Sequence, residues 1–362
     1  MDNRYRFIDI LRGLAIFGVI FHHLFFSELN SRVLHFKMLG IDVYPFFMSN
    51  GWLGVNLFFF LSGFVLFRAS MVEEKFDVVG YYKSRAIRLL PLYAITILLV
   101  SIIDAKTFLS PLEALMYFTG VNSFIPKFWM PVSLWVLWSL GVEILFSIIL
   151  PLISLIFRHK NVVRNVMLVA LACFIYRGIA DHYWFISHPG YADLLINPFK
   201  DNIFGRIDDF LIGMLCGYLL LIKNQKIKFK QVLIGTGLLL FSFYGWSIVW
   251  ANERSLYMSF FASLLHTSFS LGLLFVVIGN ISKAFWRSIF FAPLVFLGQI
   301  CFSMYIAHGV VLKFIGTQNP LLHCLEVLLL ALLLFIFIEA ACLKKKPEWL
   351  SVIFGKAKSL RE

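Results

Sequence analysis

Ten stretches of this 362-residue chain are apolar for long enough to cross a bilayer, and this limits what it can fold into more than any other feature. The hydrocarbon core of a membrane is about 30 Å thick, so a spanning helix needs about 20 mostly apolar residues. Windows of that kind cover residues 8–27, 50–68, 88–104, 132–157, 162–182, 203–222, 231–250, 256–280, 288–313 and 321–343. Backbone polar groups in hydrocarbon must be satisfied within their own segment, so each window predicts a helix. Composition agrees: with 60% hydrophobic residues, 14% charged residues and 41 Phe, the chain lacks the charge that a water-soluble surface needs, about a quarter of all residues. The predicted fold class is all-α, a polytopic helical membrane protein with about ten transmembrane helices. No repeat or linker interrupts the windows, which predicts one transmembrane domain over 1–343 and a basic C-terminal tail over 344–362.

Charge placement orients the helices, because Lys and Arg favour cytoplasmic loops. With the N-terminus inside, 22 of the 32 Lys and Arg residues fall on cytoplasmic segments and seven on outer ones. Arg12, Arg177 and Arg206 lie within spans or at their ends. This alternation predicts that both termini are cytoplasmic and the tail with them. The net charge of +12 therefore concerns topology and anionic membrane lipid, with no nucleic-acid partner indicated. The segment Phe108–Phe124 is apolar but carries Pro111 and Glu113, and is expected to be an outer-face or re-entrant piece. Arg4 and Arg6 precede an apolar run without a small-residue cleavage site, so the run is expected to remain as the first span. The five cysteines show neither CxxC nor CxxH spacing, and no metal site is expected.

Ionisable groups inside a membrane cost a few kcal/mol on insertion scales and usually face protein or a water-filled cavity. "DILRGLAIFGVIFHHLFF" places Arg12 near the inner end of span one and His23 eleven residues on, about 16 Å along a helix. Arg12 alone reads as an anchor at the headgroup level. His22 and His23 point about 100° apart, so at most one of them faces a given cavity. An imidazole titrates near neutral pH and suits a general base. Arg85 and Arg88, three residues apart on one helical face, can clamp a phosphate or anchor span three equally well. Pro91 is expected in the first turn or two of that span. Glu143 falls near the middle of span four and needs a partner, for which His23 and Arg206 are candidates; a structural ion pair and a catalytic role are both open to it. "FGRIDDFLIG" brings Arg206, Asp208 and Asp209 to the outer start of span six, and "FLGQICFSMYIAHGVV" brings Ser303, Tyr305 and His308 toward the outer end of span nine. His266, Glu326 and Glu339 carry no assignment.

Taken together these segments resemble the acyltransferase 3 family of integral membrane acyltransferases. The resemblance rests on Asp9, Leu11 and Arg12 with His23 beyond them, "GWLGVNLFFFLSGFVL" from Gly51, "SRAIRLLPLY" with Arg85, Arg88, Pro91 and Tyr93, and "WSLGVE" with Trp138, Ser139 and Glu143. "RIDDFLIGM" from Arg206, "SMYIAH" from Ser303 and "FIEAACLK" near Glu339 complete it, in family order over nearly the whole chain. It implies transfer of an acyl group, usually acetyl, from cytoplasmic acyl-CoA to a hydroxyl of a saccharide or lipid-linked saccharide. His23 then matches the essential histidine and, with Glu143, is expected to be catalytic. Arg12, Arg85 and Arg88 are expected to bind the donor, and Asp9, Tyr93, Trp138, Ser139, Arg206, Asp208, Ser303, Tyr305 and His308 to support the site. Acetyl-CoA or another acyl-CoA would be a co-substrate, with no bound cofactor. Position 56 is Asn where the family often has Asp. These 362 residues hold no SGNH-type hydrolase domain, and the membrane domain or a partner is expected to complete the transfer. A transporter or flippase would use similar intramembrane residues, but "WSLGVE" and "RIDDFLIGM" have no counterparts in the other half, where transporters often show repeats. A sensor or scaffold is a third class, in which such charges would serve packing alone. The expected location is a bacterial inner membrane. Neither the acceptor nor the oligomeric state is legible.

Overall fold

Each of the ten windows is helical over its described residues in the computed structural model, which describes residues 3–29, 36–38, 41–43, 50–71, 76–103, 110–129, 134–188, 196–225, 228–252, 255–280, 284–315 and 320–342. The order is α1 (Asn3–Leu29), β1 (Phe36–Met38), β2 (Ile41–Val43), α2 (Gly54–Met71), α3 (Val78–Ile103), α4 (Pro111–Thr119), α5 (Trp138–Arg158), α6 (Val162–Ser187), α7 (Ile203–Gly217), α8 (Phe229–Ala251), α9 (Leu256–Asn280), α10 (Ala292–Gln299), α11 (Cys301–Phe314) and α12 (Pro320–Leu334). The two strands form a small antiparallel hairpin with Lys37 opposite Asp42. The expected tail, 344–362, lies outside the described residues.

Among the described residues eight helices are long and apolar enough to span a membrane, or nine if the segments Ile289–Gln299 and Cys301–Phe314, bent by 66°, make one span. The remaining window is α7, an α-helix of 15 residues continued by a π turn over Tyr218–Ile222. It carries Arg206, Asp208 and Asp209, which no lipid-facing helix tolerates. Protein surrounds it instead, and all three charges are buried. The opposite extreme is α12 with the π turn after it, where Leu321, Leu325, Leu329, Leu333 and Phe337 form an exposed ladder four residues apart, as a face turned to hydrocarbon requires.

The centre of the bundle is α2, packed against α7 and flanked by α1, α5 and α9. Two glycines let α2 and α7 touch backbone to backbone. A Cβ at position 63 would lie 2.0 Å from the Phe210 carbonyl oxygen, and one at position 213 would lie 2.0 Å from that of Phe60. In hydrocarbon, where apolar surface alone does not drive helices together, such close approach supplies the packing.

Helix α3 starts at Val78, ten residues before its apolar window, so Pro91 sits in mid-helix and not in the first turn or two. Pro91 removes one backbone donor, but the extension is held elsewhere: Tyr81 donates to the Ser147 carbonyl at 2.9 Å and Tyr82 to the Ile148 carbonyl at 2.7 Å. Hydropathy misses this extension because its anchors are tertiary contacts with α5. Helix α4, nine residues and about 13 Å long, is too short to span a bilayer. Ser110 and Glu113 close a capping box at its start, and Gly120, at φ 74°, ends it in the left-handed conformation that glycine adopts without strain.

Candidate functional site

A cavity opens between α1, α2, α3, α5 and α11, and it collects much of what the sequence singled out. Arg12, Arg85 and Arg88 supply its positive charge, Glu143 its carboxylate, and Ser62, Ser139 and Tyr305 its hydroxyls; Phe58, Phe59 and Phe302 are among its apolar lining. The i, i+3 spacing on α3 does place Arg85 and Arg88 in one space.

Glu143 pairs with neither His23 nor Arg206. Its carboxylate accepts from Arg85 Nη2 at 2.8 Å and from Ser62 Oγ at 3.0 Å. The Arg85 Nε donates to Ser147 Oγ at 3.1 Å, and Ser147 donates in turn to the Glu143 carbonyl at 2.8 Å. Arg85 is thus locked between α3, α5 and α2. Arg12 meets Asp9, one turn before it on α1, at 3.4 Å.

Beyond the cavity, toward the end of α1 that carries His23, lies a cluster of imidazoles and indoles. The His23 ring lies parallel to that of His308, 8° off and 5.7 Å away, and meets Trp135 edge-on at 4.2 Å. His308 is buried, and neither of its ring nitrogens meets a side-chain hydrogen-bond partner among the described residues. His22 turns elsewhere, toward Gly51, whose added Cβ would meet its Cβ at 2.9 Å. Only one histidine of the pair therefore faces α11, as the 100° helical step requires.

Tyr305 joins the two regions. Its ring lies 5.1 Å from that of His308, while its hydroxyl donates to the Val136 carbonyl at 2.8 Å. The same hydroxyl lies 2.8 Å from that of Ser139, and both residues line the cavity. Ser303, two residues earlier, donates to Glu339 at 2.6 Å across to the π turn that follows α12. Tyr93 does not reach the cavity; it packs on α4 with its hydroxyl 3.5 Å from the Tyr117 carbonyl and its ring against Phe118.

A second, larger polar network ties α2, α6, α7 and α9. Arg177 clasps Asp208 with two hydrogen bonds of 2.7 and 2.9 Å and also donates to Gly205 O and Thr267 Oγ1. Arg206 binds Asp201, lies 3.7 Å from Asp209 and reaches His266 Nδ1 at 2.8 Å. Asn56 Nδ2 approaches the same Nδ1 at 3.0 Å and Asp209 at 3.2 Å. Both groups facing His266 Nδ1 only donate, so the ring carries its proton on Nε2. Lys200 binds Asp201 at 2.9 Å, and Asp181 accepts from Asn197 and Ser259. Burial pushes the Asp201 carboxyl up, but Lys200 and Arg206 outweigh it and hold the group below the usual carboxylate range. Trp138 stands between the two regions, with the Arg206 guanidinium 5.8 Å from its ring centroid and the Trp129 ring stacked at 5.5 Å.

Sequence reasoning missed Ser62, Trp135, Asp181, Asp201 and the role of Arg177. A lone arginine in a predicted span was the available signal for Arg177, since such a charge demands a partner. Ser62 and Trp135 carry no such signal, because serines and tryptophans are common in membrane helices.

Fold and site together define a polytopic helical membrane protein that encloses an arginine-lined cavity with a histidine pair beyond it. Residues 5–344 match the Acyl_transf_3 family, described as an acyltransferase domain, and the chain belongs to that family. It is similar to the O-acetyltransferase OatA of Staphylococcus aureus strain NCTC 8325, with 24% identity over 390 residues that cover 93% of this chain and 57% of the relative. The same protein of strain MRSA252 matches to the same extent. The chain thus spans little more than half the length of these relatives. No solved structure matches it.

Proposed function

We propose that this protein is a membrane O-acyltransferase, moving an acyl group, acetyl in the first instance, from cytoplasmic acyl-CoA to a hydroxyl of a cell-surface or exported saccharide. Membership of an acyltransferase family and relatives named O-acetyltransferase support the reaction class. The observation that carries the reading is Tyr305, which lines the arginine cavity while its ring lies 5.1 Å from that of His308, the neighbour of His23. A donor anchored by its phosphates among the arginines would present its thioester toward that tyrosine, and an acceptor arriving at the other end of α1 would meet His23. Excess Lys and Arg on the segments that share a side with Arg85 and Arg88 supports a cytoplasmic donor side, cytoplasmic termini and a bacterial inner membrane.

In this scheme His23 takes the proton of the acceptor hydroxyl as its oxygen attacks the thioester carbonyl. A C–O bond forms, the C–S bond breaks, and the proton ends on the released thiol of CoA. Trp135 and His308 fix the ring against rotation. Glu143 keeps Arg85 in place within the basic lining.

The test is acyl transfer or donor hydrolysis by the purified protein in nanodiscs with radiolabelled acetyl-CoA. Wild type should turn over label, and His23→Ala should abolish turnover while the protein stays folded. Intact transfer by a folded His23→Ala protein would remove the histidine from the mechanism. Failure of folded wild type to bind or turn over acyl-CoA would overturn the donor assignment.

A further inference from the structure

Residues 135–139 touch both the histidine cluster and the cavity. Trp135 belongs to the 3-10 turn Trp135–Leu137 that leads into α5, and its ring stands edge-on to that of His23 at 4.2 Å. The next residue, Val136, offers its carbonyl to the Tyr305 hydroxyl at 2.8 Å, and a Cβ added at Gly309 would lie 2.3 Å from its Cγ2. The turn is thus pressed against α11. Ser139, in the first turn of α5, has its hydroxyl 2.8 Å from that of Tyr305 and 3.4 Å from the Val136 carbonyl. Ser139 and Tyr305 are buried, at 5% and 6% exposure, and both line the cavity.

These three oxygens share two protons. The Val136 carbonyl only accepts, and Tyr305 can serve it at 2.8 Å. Whether the Ser139 proton rests on the Tyr305 oxygen or on that carbonyl, it can turn to a new acceptor in the cavity while Tyr305 keeps the carbonyl satisfied. The Ser62 hydroxyl lacks this freedom, because it donates to the Glu143 carboxylate at 3.0 Å and turning away would forfeit a charge-assisted bond.

We infer that the Ser139 hydroxyl is a catalytic group that donates a hydrogen bond to the acyl carbonyl oxygen of the donor, with Tyr305 as its positioning residue, an assignment that rests on the acyl-CoA reading. As the acceptor oxygen bonds to the carbonyl carbon, the carbonyl oxygen becomes an oxyanion and the Ser139 bond to it strengthens. When the carbonyl re-forms, the C–S bond breaks and the Ser139 proton returns to its resting partner, having never left the serine. One short segment then fixes both ends of the reaction: Trp135 braces the base, and Ser139 meets the oxygen on which charge develops. A donor held in place before the reaction begins is what makes such a contact effective.

The test uses the full-length protein in nanodiscs, with thermal unfolding as the control for folding. Turnover of acetyl-CoA should fall about 100- to 1,000-fold in kcat for Ser139→Ala, with KM for acetyl-CoA unchanged. Ser139→Thr, which keeps the hydroxyl, should retain at least about a tenth of wild-type kcat. Tyr305→Phe keeps the ring beside His308 but frees the Val136 carbonyl to capture the Ser139 proton, and should cost about tenfold in kcat. The double variant Ser139→Ala/Tyr305→Phe should be no slower than Ser139→Ala, because the tyrosine acts through the serine. Additive losses, a Ser139→Ala protein with wild-type kcat, or a loss seen only in KM overturns the assignment.

A second readout needs no turnover. The ketone analogue of acetyl-CoA, with a methylene in place of the thioester sulfur and a 13C-labelled carbonyl, should bind wild type with its infrared carbonyl band below the solution position, as a hydrogen-bonded carbonyl requires. The band should return to the solution position in Ser139→Ala and part of the way in Tyr305→Phe, which also serves if alanine at 139 prevents folding. Wild type that binds the analogue with an unshifted band keeps the donor and overturns the role of Ser139. Folded wild type that binds neither the analogue nor acetyl-CoA overturns the acyl-CoA reading and this assignment together.

Discussion

The rings of His23 and His308 lie parallel, 5.7 Å apart, although 285 positions separate them in the chain. Trp135 sets its edge against His23 on a third element, and Tyr305 stands between His308 and the cavity. The contact between His308 and His23 is one of ring packing. His308→Ala should lower kcat for acyl transfer by about 100-fold, with donor affinity unchanged, as the supported ring loses its place. His308→Phe, which keeps a flat ring, should recover most of that loss if packing is the role. A His308→Phe protein as slow as His308→Ala would show that a nitrogen is required.

The Arg177–Asp208 pair is fully buried between α6 and α7. Removing one partner leaves an uncompensated charge, so Arg177→Met or Asp208→Leu alone should cost about 3–5 kcal/mol, with a large fall in folded yield. The two substitutions together should recover much of the stability. Thermal unfolding in detergent reads the difference, and full additivity of the two losses would argue against direct coupling.

At the α2–α7 contact, Gly63→Ala forces a Cβ onto the Phe210 carbonyl. Separation of the helices should cost about 1–3 kcal/mol. Gly237→Ala on α8, where an added Cβ meets nothing within 4 Å, is the control and should raise or preserve the unfolding temperature.

The Ser110–Glu113 capping box gives a pH-dependent handle outside the spans. The Ser110 backbone N–H, and then its hydroxyl, hold the Glu113 carboxyl below its ordinary value. A carboxylate depressed in the folded state contributes stability above its unfolded value, about pH 4.3, and loses it as pH falls through the lower folded value. The stability difference between wild type and Glu113→Ala should therefore be constant above about pH 5 and shrink on acidification below about pH 4.3. Ser110→Ala should cost about 1 kcal/mol at neutral pH.

Much of the architecture was legible because a bilayer imposes length and polarity on each helix separately. Over their described residues all ten windows are helical, one of them broken by a 66° bend, and Arg85 and Arg88 do share a face. The start of α3 was not legible, because Tyr81 and Tyr82 anchor it to carbonyls in the middle of α5, a contact that no local hydropathy records. The partner of Glu143 was not legible either: His23, Arg206 and Arg85 are all charged or titratable groups in membrane helices, and nothing local distinguishes them. Asn56, a departure from the family pattern in sequence, proves to be a donor to the Asp209 carboxylate within a network already rich in carboxylates.

By itself the sequence determined the solvent, the helices, the side bias of charge and the residue types that need company inside a membrane, since each of these follows from the free energy of a segment in hydrocarbon. Only the tertiary structure decided which charges meet. It tied Arg85 to Glu143, left Arg88 open to the cavity, and brought His308 to His23. Ion pairs and ring contacts fall off within a few ångströms, so they depend on how helices far apart in the chain are rotated and packed, which no single segment encodes.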